Sequence, residues 1–175
     1  MRRIVVYGPS GSGKTTTARE IAERLGVTHI ELDALMHVRP GWDDASPEEF
    51  QASIRAAINA APNGWVADGN YSVGGTILLD AADTAIWLRL PFRVVYPRLA
   101  RRTIKRVLSR ELLWDTNRER WRDVFSKDSM FVWGIKSWKG HFRKTRARLR
   151  SAPGSVRIIV LKTPREVDDF LADLE

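Results

Sequence analysis

A chain of 175 residues with a net charge of +8 is long enough to bury a sizeable core, and one domain spanning 1–175 is expected. The absence of cysteine excludes disulfides and thiolate metal sites and fits a cytoplasmic protein. Arg2 and Arg3 precede only a short apolar run, so no signal peptide is expected, and no apolar stretch approaches the ~20 residues that span a bilayer.

Ile4-Val5-Val6-Tyr7 is a short β-branched run that reads as a first strand. Gly8 to Thr15 follows, and then a helix pattern with Ala18, Ile21, Ala22 and Leu25 on one face, closed by Gly26. Residues 28–33 alternate and end in a carboxylate, which predicts a second strand with Asp33 at its end. Residues 34–44 read as a loop around Pro40-Gly41-Trp42. Ser46, Pro47 and Glu49 form a capping box that opens a helix with Phe50, Ile54, Ala57, Ile58 and Ala61 facing inward.

Residues 65–69 predict a third strand carrying Asp68 at its carboxyl end, and a connection with one helical turn near 77–80 follows. Residues 84–90 predict a fourth strand, stopped by Pro91. A long helix over about 93–110 packs Val94, Val95, Leu99 and Val107, with Pro97 near its start. Residues 111–128 lack a clean period, and a basic helix over about 129–150 comes next. Residues 155–162 give a fifth strand, and Thr163-Pro164-Arg165-Glu166 opens a final helix with Val167, Phe170, Leu171 and Leu174 facing in. Strands alternating with helices predict an α/β fold, a parallel sheet covered on both faces.

Gly8-Pro9-Ser10-Gly11-Ser12-Gly13-Lys14-Thr15 fits G-x-x-x-x-G-K-[ST] in the strand–loop–helix context that the motif requires. Glycines let backbone N–H groups turn toward an anion, and the helix N-terminus adds partial positive charge. Gly8, Ser10, Gly11, Ser12, Gly13, Lys14, Thr15 and Thr16 are therefore the candidate phosphate-binding residues of a nucleoside triphosphate site. Lys14 would reach the β- and γ-phosphates of ATP, and Thr15 would ligate Mg²⁺.

Ligands of such sheets sit beyond the carboxyl ends of the strands, which gathers Asp33 and Asp68 at the same rim. Asp68 is the candidate second Mg²⁺ ligand. Asp33 either assists the metal or takes a proton from an acceptor hydroxyl. His37, Arg39, Trp42, Asn70 and Tyr71 share that rim with Asp33 as the candidate acceptor pocket. His29, His37 and His141 are not at metal-ligand spacing and otherwise read as ordinary surface or core residues.

Residues 93–150 carry 18 Lys/Arg against 5 Asp/Glu. Arg98, Arg101, Arg102, Arg106 and Arg110 lie near one another on one helix, and Arg118, Arg120 and Arg122 follow. Such a cluster can close over phosphates as a lid, with Arg102 and Arg106 the residues chosen to neutralise developing charge. The same block could instead bind nucleic acid, although no recognition helix or stacking strand accompanies it. Trp121, Trp133 and Trp138 are candidates to cover the lid or a dimer contact, so a monomer or homodimer is expected.

The segments GPSGSGKTT at 8–16, ELDALMHVRPGW at 31–42, WVADGNY at 65–71 and RLARRTIKR at 98–106 resemble the nucleoside/nucleotide-kinase branch of P-loop proteins. Within it the chain looks similar to the adenylate-kinase-like bacterial topology-modulation (FlaR-like) proteins. The resemblance implies strand order 2-3-1-4-5, a lid after the fourth strand, and an Asp68 that matches the Asp of the adenylate kinase D-G-F-P-R signature. It also implies that Thr163, Pro164 and Arg165 border the adenine base. Gly69-Asn70-Tyr71 replaces the rest of that signature, which argues against AMP as acceptor. The resulting expectation is an ATP- and Mg²⁺-dependent kinase acting on a small acceptor: a nucleotide, a nucleoside or another small hydroxyl compound. The alternative is an NTP-binding regulatory or nucleic-acid-associated protein.

Overall fold

The structure, a computed structural model, describes residues 1–37, 44–74, 76–109 and 130–174. Five strands, β1 (Arg3–Tyr7), β2 (Thr28–Glu31), β3 (Trp65–Asp68), β4 (Thr84–Leu88) and β5 (Arg157–Leu161), form one parallel sheet in the order β2-β3-β1-β4-β5. This is the α/β architecture and strand order expected from the sequence.

The alternation of β1 explains the layers. Ile4 and Val6 face one side, against Ala18 and Ile21 of α1 (Lys14–Leu25), Val95 of α5 (Phe92–Ser109), and Val167 and Leu171 of α7 (Pro164–Ala172). Val5 and Tyr7 face the other, against Phe50 and Ile54 of α3 (Pro47–Asn59), Leu78 and Leu79 of α4 (Ile77–Ala81), and Leu149 of α6 (Met130–Arg150). A period of two in the central strand thus supplies both faces of a sandwich.

The capping signals hold at α3, where Ser46 Oγ accepts from Glu49 N at 3.2 Å and Ser46 N donates to Glu49 Oε2 at 2.8 Å. At α7 the box is offset by one residue. Thr163 Oγ1 accepts from Glu166 N at 3.1 Å, while the Glu166 carboxylate accepts from Lys162 N at 2.7 Å.

One expectation is corrected. β2 stops at Glu31, and Leu32–Met36 forms a short helix, α2, in place of a continued strand and loop. β3 ends with Asp68 opposite Glu31, so the ladder has no further partner. Leu32 and Met36, four residues apart, lie on one face of this helix and are both buried. The turn after β3 makes room for α2. Gly69 has φ +150°, and a Cβ there would come within 2.8 Å of Leu32 Cβ.

Candidate functional site

The chain leaves β1 into the loop that precedes α1. Gly11 and Gly13 adopt φ +85° and +89°, backbone that side chains disfavour, and Ser12 N donates to Pro9 O at 3.0 Å to tighten the turn. A Cβ on Gly11 would approach Val95 O at 2.7 Å, so the loop is also seated against the α5 backbone. Lys14, the first residue of α1, reaches back to donate from Nζ to Pro9 O at 3.4 Å. The Ser12 hydroxyl is buried without a hydrogen-bond partner. An orphaned donor and a buried ammonium beside a glycine turn fit an anion of several oxygens.

Electrostatics tie the neighbouring elements to Lys14. Burial pushes its ammonium below the ordinary lysine value, the Asp33 and Asp68 carboxylates pull it back up, Arg102 lowers it, and Glu31 raises it. Asp33 of α2, the acids Glu31 and Asp68 that end β2 and β3, and one arginine of α5 therefore converge on this residue. Arg102 and Arg106 are half-buried on the same side of α5, whereas Arg98 and Arg101 are exposed. Arg110, Arg118, Arg120 and Arg122 lie outside the described residues.

Asp68 is buried at the end of β3. Its Oδ2 accepts from Thr15 Oγ1 at 2.7 Å, and its Oδ1 lies 2.8 Å from His29 Nε2. The Thr15–Asp68 pair is the oxygen chemistry that Mg²⁺ selects, and the metal usually takes few protein ligands beside substrate phosphates and water. Among the described residues no group of three or more His, Cys, Asp or Glu could hold a metal ion.

Asp33 occupies the first turn of α2, and His37 lies four residues on, so both face Tyr71. Tyr71 OH donates to Asp33 Oδ1 at 2.8 Å and lies 3.1 Å from His37 Nε2, and His37 Nδ1 lies 2.6 Å from Asp44 Oδ1. Burial first, then the Asp33 charge, keeps the Tyr71 phenol protonated well above its ordinary range. Phe50 packs edge-on against its ring at 5.1 Å, and Arg148 Nη2 donates to its carbonyl at 3.3 Å.

Of the six residues expected in the acceptor pocket, Asp33, His37 and Tyr71 are brought together. Asn70 is not. Its Nδ2 donates to Gly8 O at 2.6 Å and its Oδ1 accepts from Gly8 N at 3.3 Å, so it braces the phosphate loop. Arg39 and Trp42 lie outside the described residues, as do Trp121 and the side chain of Trp133. Pro164 and Arg165 open α7. The Arg165 side chain is 90 % exposed and faces Asp169 on its own helix at 3.7 Å.

Three residues at the site carried no signal in the sequence. His29 holds Asp68 from β2. Arg148 links α6 to Tyr71 and stacks over Tyr7, its guanidinium carbon 5.5 Å from the ring centre. His141 of α6 has a buried Nε2 without a hydrogen-bond partner. Burial, then Lys14, Arg148 and Lys144, pushes that imidazole down to about 4. In the sequence only the run of basic residues marks α6.

A parallel 2-3-1-4-5 sheet whose first strand feeds a glycine loop and a lysine-headed helix defines a P-loop protein. Comparison with known proteins narrows the class. A family model described as "AAA domain" matches residues 4–122. A cytidylate kinase of Pyrococcus horikoshii is 28% identical over 141 residues, covering 71% of this chain and 72% of its own. A shikimate kinase of Streptomyces avermitilis is 32% identical over 130 residues, covering 70% and 75%. In three dimensions a shikimate kinase from Acinetobacter baumannii in complex with shikimate superposes with a TM-score of 0.59 at 14% identity, covering 98% of this chain and 89% of that one. A sugar kinase from a Janibacter species gives 0.51 at 18% identity, covering 98% and 93%. The chain belongs to this AAA-domain family and, within the P-loop proteins, to the nucleotide and small-molecule kinase superfamily. The protein is a P-loop kinase.

Proposed function

We propose that the protein transfers the γ-phosphate of Mg-ATP to a hydroxyl of a small acceptor. The observation that carries this reading is the convergence on Lys14 of two carboxylates, Asp68 at the end of β3 tied to Thr15 and Asp33 in the first turn of α2 tied to Tyr71. Two acids held apart by different partners suit two tasks, metal binding and acceptor activation.

In this reading Gly8, Ser10, Gly11, Ser12, Gly13, Lys14, Thr15 and Thr16 cradle the phosphates. Lys14, Arg102 and Arg106 neutralise charge as the γ-phosphoryl leaves, the last two from α5, which leads into a lid over about 110–150. Thr15 and Asp68 hold Mg²⁺, which offsets phosphate charge. Pro164 and Arg165 border the base. Asp33 takes the proton as the acceptor oxygen bonds to phosphorus and the bond to the ADP oxygen breaks. A cytoplasmic placement suits an enzyme that draws on Mg-ATP. No helix among the described residues is long and apolar enough to cross a membrane.

Coupled ADP release with Mg-ATP tests the reading against three acceptor types drawn from the relatives: cytidine monophosphate, shikimate and a panel of sugars. Acceptor-stimulated release lost in both Lys14→Ala and Asp33→Asn is the expected outcome. A wild-type rate indifferent to every acceptor would overturn it. Stimulation by cytidine monophosphate that survives Asp33→Asn would replace the hydroxyl acceptor with a phosphate one.

A further inference from the structure

We propose that Tyr71, His37 and Asp44 form a proton exit that carries the acceptor proton from Asp33 to solvent. The inference rests on the reading of Asp33 as the group that accepts that proton, and adds what becomes of the proton afterwards.

The geometry is a continuous chain. Asp33 Oδ1, Tyr71 OH, His37 Nε2, His37 Nδ1 and Asp44 Oδ1 follow one another with donor–acceptor separations of 2.8, 3.1 and 2.6 Å across the three gaps. The inner members are sheltered and the last is open: the His37 side chain is 18 % exposed and that of Asp44 57 %. The chain therefore runs from the reaction rim outward. A base that kept its proton would be blocked for the next turnover, and a phosphoryl site that excludes water leaves it few ways to return it.

The step balances without a co-reactant. Asp33, protonated by the acceptor hydroxyl, passes its proton to the Tyr71 oxygen as the Tyr71 proton moves to His37 Nε2. Asp33 is again a carboxylate, Tyr71 again a phenol, and His37 an imidazolium whose Nδ1–H donates to the Asp44 carboxylate. The Nδ1 proton then leaves through Asp44, and exchange of the remaining ring proton from Nε2 to Nδ1 through solvent resets His37 for the next turnover. Burial and the charges of Asp33, Asp44 and Glu31 disfavour a phenolate at Tyr71, so its two proton movements are concerted.

Two measurements on the full chain test this. The first needs no substrate: the ring nitrogen NMR signals of His37 are followed in the wild type, Asp33→Asn, Tyr71→Phe and the double variant. Removing the Asp33 charge is expected to shift those signals, and the shift is expected to vanish in the Tyr71→Phe background. An equal shift in both backgrounds overturns the wiring.

The second measurement is Mg-ATP hydrolysis, in which water stands in the acceptor's place. Tyr71→Phe and His37→Gln should each lower kcat at least about tenfold with KM for Mg-ATP unchanged. The curved dependence of the rate on the D₂O fraction should become linear. Wild-type kcat and curvature in both variants would overturn the exit path. Phenylalanine keeps the packing on Phe50, so a fall confined to kcat is not a folding defect. If the wild type turns over no Mg-ATP with water or with any acceptor, the proposed function fails, and the NMR measurement still decides the relay.

Discussion

Asn70 holds Gly8 from both sides: its amide nitrogen donates to the glycine carbonyl at 2.6 Å, and its amide oxygen accepts from the glycine N–H at 3.3 Å. The two residues are 62 positions apart, and the contact fixes the entry of the phosphate loop to the turn that follows β3. Only a side chain with a donor and an acceptor at one end can make both bonds. Asn70→Asp replaces the donor with a charge facing a carbonyl. Calorimetric titration should show Mg-ATP affinity weakened about tenfold, and thermal unfolding should report a loss of about 1–2 kcal/mol. Unchanged affinity would mean that the loop keeps its shape without this bracket.

His29 and Asp68 invite a paired test. Asp68 is buried and accepts from Thr15 and approaches His29. His29→Ala leaves a buried carboxylate oxygen unmatched, which is expected to cost about 1–3 kcal/mol of stability. Asp68→Asn keeps the volume but removes the charge that a metal needs. Turnover should fall on the order of 100-fold, with a higher Mg²⁺ requirement that excess metal partly restores. A loss that Mg²⁺ does not touch would remove Asp68 from the metal site.

The arginines of α5 separate by burial. Arg102 lies within electrostatic reach of Lys14 and is half-buried, whereas Arg98 and Arg101 face solvent. Arg102→Ala should lower kcat on the order of 100-fold or more, while Arg98→Ala and Arg101→Ala stay within about threefold of the wild type. Steady-state kinetics on the three variants checks this, and equal losses would argue for a general field in place of one positioned group.

His141 predicts an acid-sensitive step in stability. Its imidazole is pushed from 6.5 down to about 4 in the folded chain, chiefly by burial, so the unfolded chain binds the proton first as pH falls. Stability due to this group is therefore intact above pH 6.5 and declines as pH drops toward 4. The decline amounts to about 1–3 kcal/mol. Denaturant unfolding of the wild type and His141→Gln at pH 7.5 and 5 should show the drop shrinking in the variant. Mg-ATP brings negative charge beside Lys14 and should narrow the difference too.

Much of this was legible in the residues. The motif from Gly8 to Thr15 reads together with its flanking strand and helix, and strands alternating with helices predict a sheet covered on both faces. The sequence pattern puts Asp33 at this rim on a strand, whereas it lies on α2. Its strand-like alternation over 28–33 lost to the burial of Leu32 and Met36, a tertiary effect that local pattern does not report. The loop position of Asn70 suggests the acceptor edge, but which neighbour its amide meets depends on where β1 lies.

The sequence by itself determined the phosphate loop, the caps of α3 and α7 and the parallel α/β class, because each depends on residues within a few positions of one another. The tertiary structure decided which acid meets which partner. β3 lies between β2 and β1, so the residues at its carboxyl end reach both neighbours: Asp68 meets His29 on one side and Thr15 on the other, and Asn70 crosses to Gly8. The return of α6 over the sheet then brings His141 and Arg148 to the same rim. Hydrogen bonds spanning 39 to 77 residues are fixed by strand order and helix packing, and those arise from burial across the whole chain.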